Sequence, residues 1–114
     1  MSSLGVMLSE DFFDMAKRDY FESVLNRVCE SMELTCDDVL HSNKDECVDA
    51  RYLVVSLLSE RLSDRQIADV SGWSYQLVNK ARNSFSERCK FRWGLKGLYK
   101  ELSIFAEQKN PFEL

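Results

Sequence analysis

Between Leu62 and Phe85 the chain reads LSDRQIADVSGWSYQLVNKARNSF, and this stretch limits the possible folds more than any other. Ser63 is placed as a helix N-cap, its hydroxyl accepting from the unpaired N–H groups of the first turn. Gln66, three residues on, can reach back to complete a capping box. Ile67 and Val70 give that helix an apolar side. Gly72 ends it, because glycine enters the left-handed conformation of a helix C-terminus without a steric penalty. Ser74 caps a second helix, along which Leu77, Val78, Ala81 and Phe85 recur at helical spacing. Two helices of about two and three turns, joined by a tight turn containing glycine, have the layout of a helix-turn-helix, here about residues 63–85. Such a unit needs a small residue where its helices cross, and Ala68 supplies it; Ile67 and Val78 supply the branched packing. Ser71 and Ala81 stand where larger apolar groups are usual, which leaves a lean local core for Trp73 to fill. Two ordinary packed helices with a glycine cap would use the same letters.

One proline, Pro111, and four glycines in 114 residues leave long stretches unbroken, so the expected fold is all-α: a single compact multi-helix bundle over residues 1–114. Apolar runs are too short to cross a membrane, and the start MSSLGVMLSEDFF lacks the basic opening and cleavage pattern of a signal peptide. Cys29, Cys36, Cys47 and Cys89 never form C-x-x-C and read as core thiols of a reducing cytoplasm. Cys36, His41 and Cys47 match no common zinc spacing, and neither a metal nor another cofactor is expected.

Net charge is −4, the wrong sign for a nucleic-acid binder until it is resolved along the chain. Residues 1–64 carry 6 basic and 14 acidic side chains, a net of −8. Residues 65–100 carry 8 basic against 2 acidic, a net of +6, and residues 101–114 return −2. The positive block covers the second half of the helix-turn-helix and the segment after it, and that coincidence points to an anionic partner.

Upstream, Ser9 before Glu10 and Asp11 predicts a helix start near residue 10, with a break near Asp19–Tyr20 conceivable. Phe12, Phe13, Ala16, Tyr20, Val24, Val28 and Met32 mark its buried side, widened by Phe21, Leu25 and Cys29. Thr35 should cap one helical turn with Val39 and Leu40 inward. Ser42 and Asn43 offer caps for a helix from Lys44 to about Arg61, whose apolar side is Cys47, Ala50, Leu53, Val54, Leu57 and Leu58. Ser86–Trp93 alternates and could be extended. A last helix is expected from about Gly94 to Glu107, followed by a loose tail, Gln108–Leu114.

From Val24 to Phe85 the sequence resembles two DNA-binding families. VLNRVCESMELTCDDVL followed by ARYLVVSLLSERLS is similar to the C-terminal domain of the bacterial replication initiator DnaA, whose longer helix carries an alanine–arginine pair, here Ala50-Arg51. SDRQIADVSGWSYQLVNKARNSF is more similar to the Trp repressor, with the same spacing between Ile67 and Val78. Gly72-Trp73-Ser74-Tyr75-Gln76 replaces the DnaA signature Gly-Gly-Arg-Asp-His, and there is no P-loop, so base contacts specific to that family do not carry over. The resemblance implies a bacterial DNA-binding fold without an operator sequence, and for Arg51 a contact to phosphate; an internal pair with a carboxylate is the other reading of Arg51.

A second helix entering the major groove would turn Tyr75, Gln76, Asn79 and Asn83 toward base edges, and Gln and Asn suit adenine. Tyr75 could equally bridge the two helices. Arg65, Ser74, Lys80 and Arg82 are placed for phosphates, and Arg88, Lys90 and Arg92 extend that footprint. Four to seven such contacts predict a log–log salt slope of roughly −4 to −6. The expected function is therefore double-stranded DNA binding by a cytoplasmic regulator of transcription or a replication accessory factor. A homodimer is plausible, because one unit reads few base pairs, and residues 12–32 could supply its interface. The rival is a protein–protein interaction module that keeps the fold without touching DNA. RNA binding lacks a sheet with stacking aromatics. No catalytic set is visible, since His41 has no partner for nucleophilic chemistry, and no small-molecule ligand can be assigned.

Overall fold

The computed structural model describes the backbone of residues 2–112 and the side chains of residues 12–112. Six helices succeed one another: α1 (Ser2–Met32), α2 (Cys36–His41), α3 (Asp45–Leu58), α4 (Asp64–Ser71), α5 (Tyr75–Phe91) and α6 (Leu95–Lys109). No strand occurs among the described residues, so the fold is all-α.

The bundle is built around α3. Eleven of its fourteen residues are buried, including Ala50, Leu53, Val54, Val55, Leu57 and Leu58. A helix that is apolar nearly all round must be wrapped on all sides, and α1, α2, α5 and α6 pack against it. Its buried Val54 and Val55 carry a helix penalty of a few tenths of a kcal/mol each, which burial of their methyl groups outweighs. α3 is shorter than its sequence suggests. It begins at Asp45 behind Lys44, which makes no side-chain cap; the Ser42 hydroxyl instead accepts from the Lys44 N–H at 3.2 Å. It ends at Leu58, where the Ser59 hydroxyl donates to the Val55 carbonyl at 2.7 Å and the chain turns through 59–62.

α1 also departs from expectation. It starts at Ser2 rather than near residue 10 and runs unbroken past Asp19–Tyr20. Before Ser9, Leu4, Met7 and Leu8 favour a helix, and Gly5 costs about 1 kcal/mol, which does not stop a long helix. Tyr20, Phe21, Val24, Leu25, Val28 and Cys29 join the core as expected. Phe12 and Phe13 do not: they are 70% and 47% exposed, and the aromatic partner of Phe13 is Phe112, past the end of α6. The molecule measures 54 × 26 × 24 Å.

The segment Ser86–Trp93 is the third correction. Helix α5 continues to Phe91 instead of becoming extended. Phe85 and Cys89, four apart, carry its apolar side on toward α6, where the Phe85 ring meets Tyr99 at 5.3 Å. Arg88 and Arg92, four apart, hold carboxylates of α3. Those contacts settle the conformation, and alternation of letters does not. α6 then starts behind Gly94, in the left-handed region at φ 85°, and takes in Gln108 and Lys109. Of the segment expected to be loose, Phe112 packs on Phe13 at 5.2 Å and on Tyr20 at 6.0 Å, while Glu113 and Leu114 lie outside the described residues.

Candidate nucleic-acid interface

α4 and α5 are set by their caps. The Ser63 hydroxyl accepts from the Gln66 N–H at 3.2 Å, and the Gln66 side chain accepts from the Ser63 N–H at 2.9 Å: a complete capping box. Gly72 closes α4 at φ 80°, with its N–H donating to the Ala68 carbonyl at 3.0 Å. Two residues later the Ser74 hydroxyl accepts from the Leu77 N–H at 3.1 Å and opens α5. Ile67 and Val78, both fully buried, join the two helices.

The residues between them are pinned to the rest of the molecule by Trp73. Its ring stands edge-on to Phe21 at 5.9 Å, and its indole N–H donates to the Leu40 carbonyl at 3.1 Å. Trp73 is 8% exposed, and its backbone N–H donates to the Ser71 hydroxyl at 3.1 Å.

A polar clamp holds the other side. Asp64, the first residue of α4, accepts a fork from Arg82 of α5: Nε to Oδ1 at 2.8 Å and an Nη to Oδ2 at 3.0 Å. Asn79 donates to the same carboxylate at 3.0 Å and accepts from the Asn83 amide at 3.2 Å. The hydrogen bonds from Arg82 pull the Asp64 carboxyl below its ordinary range, against the opposing effect of burial. Asp64 in turn raises the Arg82 guanidinium.

Gln76, Lys80 and Asn83, spaced four and three residues apart, are exposed on one side of α5, and Glu87 continues that row four residues on. Tyr75, 51% exposed, stands at the helix start, where Arg65 and Arg82 share a groove with it. Among the described residues Arg65 and Lys80 have no carboxylate within 4.0 Å.

Other expected contacts are placed differently. Arg51 is not available to phosphate: it is 6% exposed, donates to the Val39 carbonyl at 2.9 Å and the Ser42 carbonyl at 2.7 Å, and lies over the Trp73 ring at 5.9 Å. Nor does it pair with a carboxylate. It ties α2 to α3, and burial lowers its pKa from the usual arginine value. Asn79 keeps little free capacity, since its amide N–H and carbonyl are both engaged. Arg88 pairs with Asp49 and stacks on Tyr52 at 4.7 Å, while Arg92 bridges Asp45 and Asp49 at 3.1 Å each. Both arginines thus serve the α3–α5 contact. Lys90 sits 3.5 Å from Glu87, both largely exposed, an ion pair of little strength.

The organising carboxylates Asp49 and Asp64 are not among the residues that the sequence was expected to place at the site. Asp64 gives no sign, because an acidic residue in a first turn is ordinary. Asp45 and Asp49 do give one: their spacing of four matches that of Arg88 and Arg92.

Among the described residues no three His, Cys, Asp or Glu side chains gather as metal ligands, and no helix is long and apolar enough to cross a membrane. The chain matches no family model, and no curated protein or solved structure shows significant similarity to it.

Proposed function

We propose that the chain binds double-stranded DNA, with α4 and α5 acting as a helix-turn-helix and α5 entering the major groove. The observation that carries this reading is the outward row Gln76, Lys80 and Asn83 along the first turns of α5: two amides and a cation beside the exposed Arg65 and Ser74, with the next residue of the row, Glu87, paired to Lys90. An amide that offers one donor and one acceptor matches the N6/N7 edge of adenine, whereas a bare lysine and a helix N-terminus suit phosphate. Asn83 keeps its carbonyl and one N–H for this purpose, so base reading falls to Gln76 and Asn83, with Tyr75 at the edge. Asn79 acts through Asn83, as its orienting partner. A homodimer reading two half-sites belongs to the same proposal.

Selecting bound sequences from a random duplex pool tests the reading directly. Gln76→Ala and Asn83→Ala should each relax selectivity at one or two base pairs and cost about 5- to 100-fold in affinity for the selected site, with the fold intact. A pool that never enriches at low ionic strength sinks the proposal.

The second reading, a protein–protein interaction module without DNA contact, draws on a specific observation. Arg51, Arg82, Arg88 and Arg92 all hold partners inside the chain, which halves the eight cationic and hydroxyl groups expected to meet phosphates. It predicts that both alanine variants leave every DNA assay unchanged.

A further inference from the structure

α5 and α6 meet at residues 92–94, and here the chain turns two large aromatic side chains into water. Phe91 is 78% exposed and Trp93 102%, whereas Trp73 is 8% exposed. Gly94 takes a left-handed conformation at φ 85°, which carries the chain sharply into α6 and leaves Trp93 at the apex. No carboxylate occurs anywhere between Arg88 and Lys100. Of the cations there, Arg88 and Arg92 are tied to Asp49 and Asp45. Lys90 faces an exposed Glu87, and Lys96 and Lys100 are exposed with no carboxylate within 4.0 Å among the described residues. A chain of net charge −4 thus carries a tip that combines bare π-faces with unneutralised lysines.

We propose that this tip binds single-stranded DNA, with unpaired bases stacking on Trp93 and Phe91 while Lys90, Lys96 and Lys100 meet the phosphates. Stacking requires a π-face open to solvent, and phosphates require cations around it; single-strand binders combine these two components. An anionic membrane would also attract lysines beside tryptophan. It would, however, need a continuous apolar helix side to submerge, and after Trp93 the first exposed positions of α6 are Lys96, Gly97, Lys100 and Glu101. The choice of DNA over RNA rests on the duplex reading proposed above. Gln76 and Phe91 lie fifteen residues apart on the same side of α5, about 22 Å, so one helix would carry a duplex surface at one end and a single-strand surface at the other.

The test uses the full chain and a short oligothymidylate of about 12 nucleotides, within the span of one single-strand module. Trp93 is fully exposed and Trp73 buried, so the iodide-quenchable part of the emission should report the tip. The expected result is quenching of that emission by the oligonucleotide at low salt, and loss of the quenching in Trp93→Phe. By anisotropy with a labelled oligonucleotide, Trp93→Ala and Phe91→Ala should each bind about tenfold more weakly, and Trp93→Phe should retain most of the affinity. Both side chains are exposed, so the variants should melt like the parent. Equal binding by Trp93→Ala overturns the proposal. So does tighter binding to an oligouridylate of the same length, or a shift of emission with phosphatidylserine vesicles but not with the oligonucleotide. No duplex is present, so failure here leaves the major-groove reading standing; failure of the Gln76 and Asn83 variants leaves single-strand stacking on the tip standing and removes only the ground for choosing DNA over RNA.

Discussion

Two charged residues do most to hold the proposed interface in shape, and neither is expected to touch DNA. Asp64 receives three hydrogen bonds from α5, so its folded pKa lies below the unfolded value of about 3.9. With a depressed folded pKa, the stabilisation is complete above about pH 5 and is lost as pH falls through the folded value. Asp64→Asn should therefore lower the melting temperature by a few degrees at pH 7, and the difference from the parent should shrink as melts are taken toward pH 3. Arg51 makes the contrasting case. Removing it strands the Val39 and Ser42 carbonyls in a site 6% exposed, so Arg51→Ala should cost about 2–4 kcal/mol in a urea melt. Duplex affinity of the fraction that remains folded should not change. A phosphate contact would give the opposite pattern, weaker binding at unchanged stability.

Local chemistry decides the ends of α4, and those ends are legible in the sequence. Ser63, Gln66, Gly72 and Ser74 take their expected positions because a cap involves residues only three or four apart. Ser63→Ala should destabilise the protein by about 1 kcal/mol, seen as a shift of the urea midpoint at unchanged slope. The elements that sequence misplaces are those set by distant contacts. Ser86–Phe91 is helical because Asp45, Asp49 and Tyr99 lie across from it, and no window of neighbouring letters contains them. Phe12 fits the apolar stripe of α1 yet is 70% exposed, because periodicity says which side of a helix is apolar and nothing about whether another element reaches that far. The candidate site divides the same way. Gln76, Lys80 and Asn83 face outward as the spacing implies, whereas the arginines find partners that composition alone could not assign. Arginine serves both an internal fork and a phosphate with equal chemistry, so its letter leaves the choice open.

On the scale of the whole molecule, charge is partly cancelled where the acidic and basic segments meet. Asp45 and Asp49 neutralise the C-terminal end of α5, and the cations left for a duplex are Arg65 and Lys80, with Arg82 already shared with Asp64. Binding should therefore fall with salt at a log–log slope of roughly −3, shallower than the full basic block implies; titrations between low and physiological salt measure it directly. The remaining negative charge opposes indiscriminate attachment to any polyanion, so a preferred site should stand out from background more than it would for a uniformly basic chain. Finally, α1 has 31 residues, about 46 Å of helix, and among the described residues its core side chains run from Tyr20 to Cys29. Such a particle tumbles and diffuses more slowly than a sphere of 13.3 kDa, so gel filtration will overstate its mass and can make one copy elute like two. Stoichiometry should accordingly be read from light scattering or sedimentation equilibrium, neither of which depends on outline.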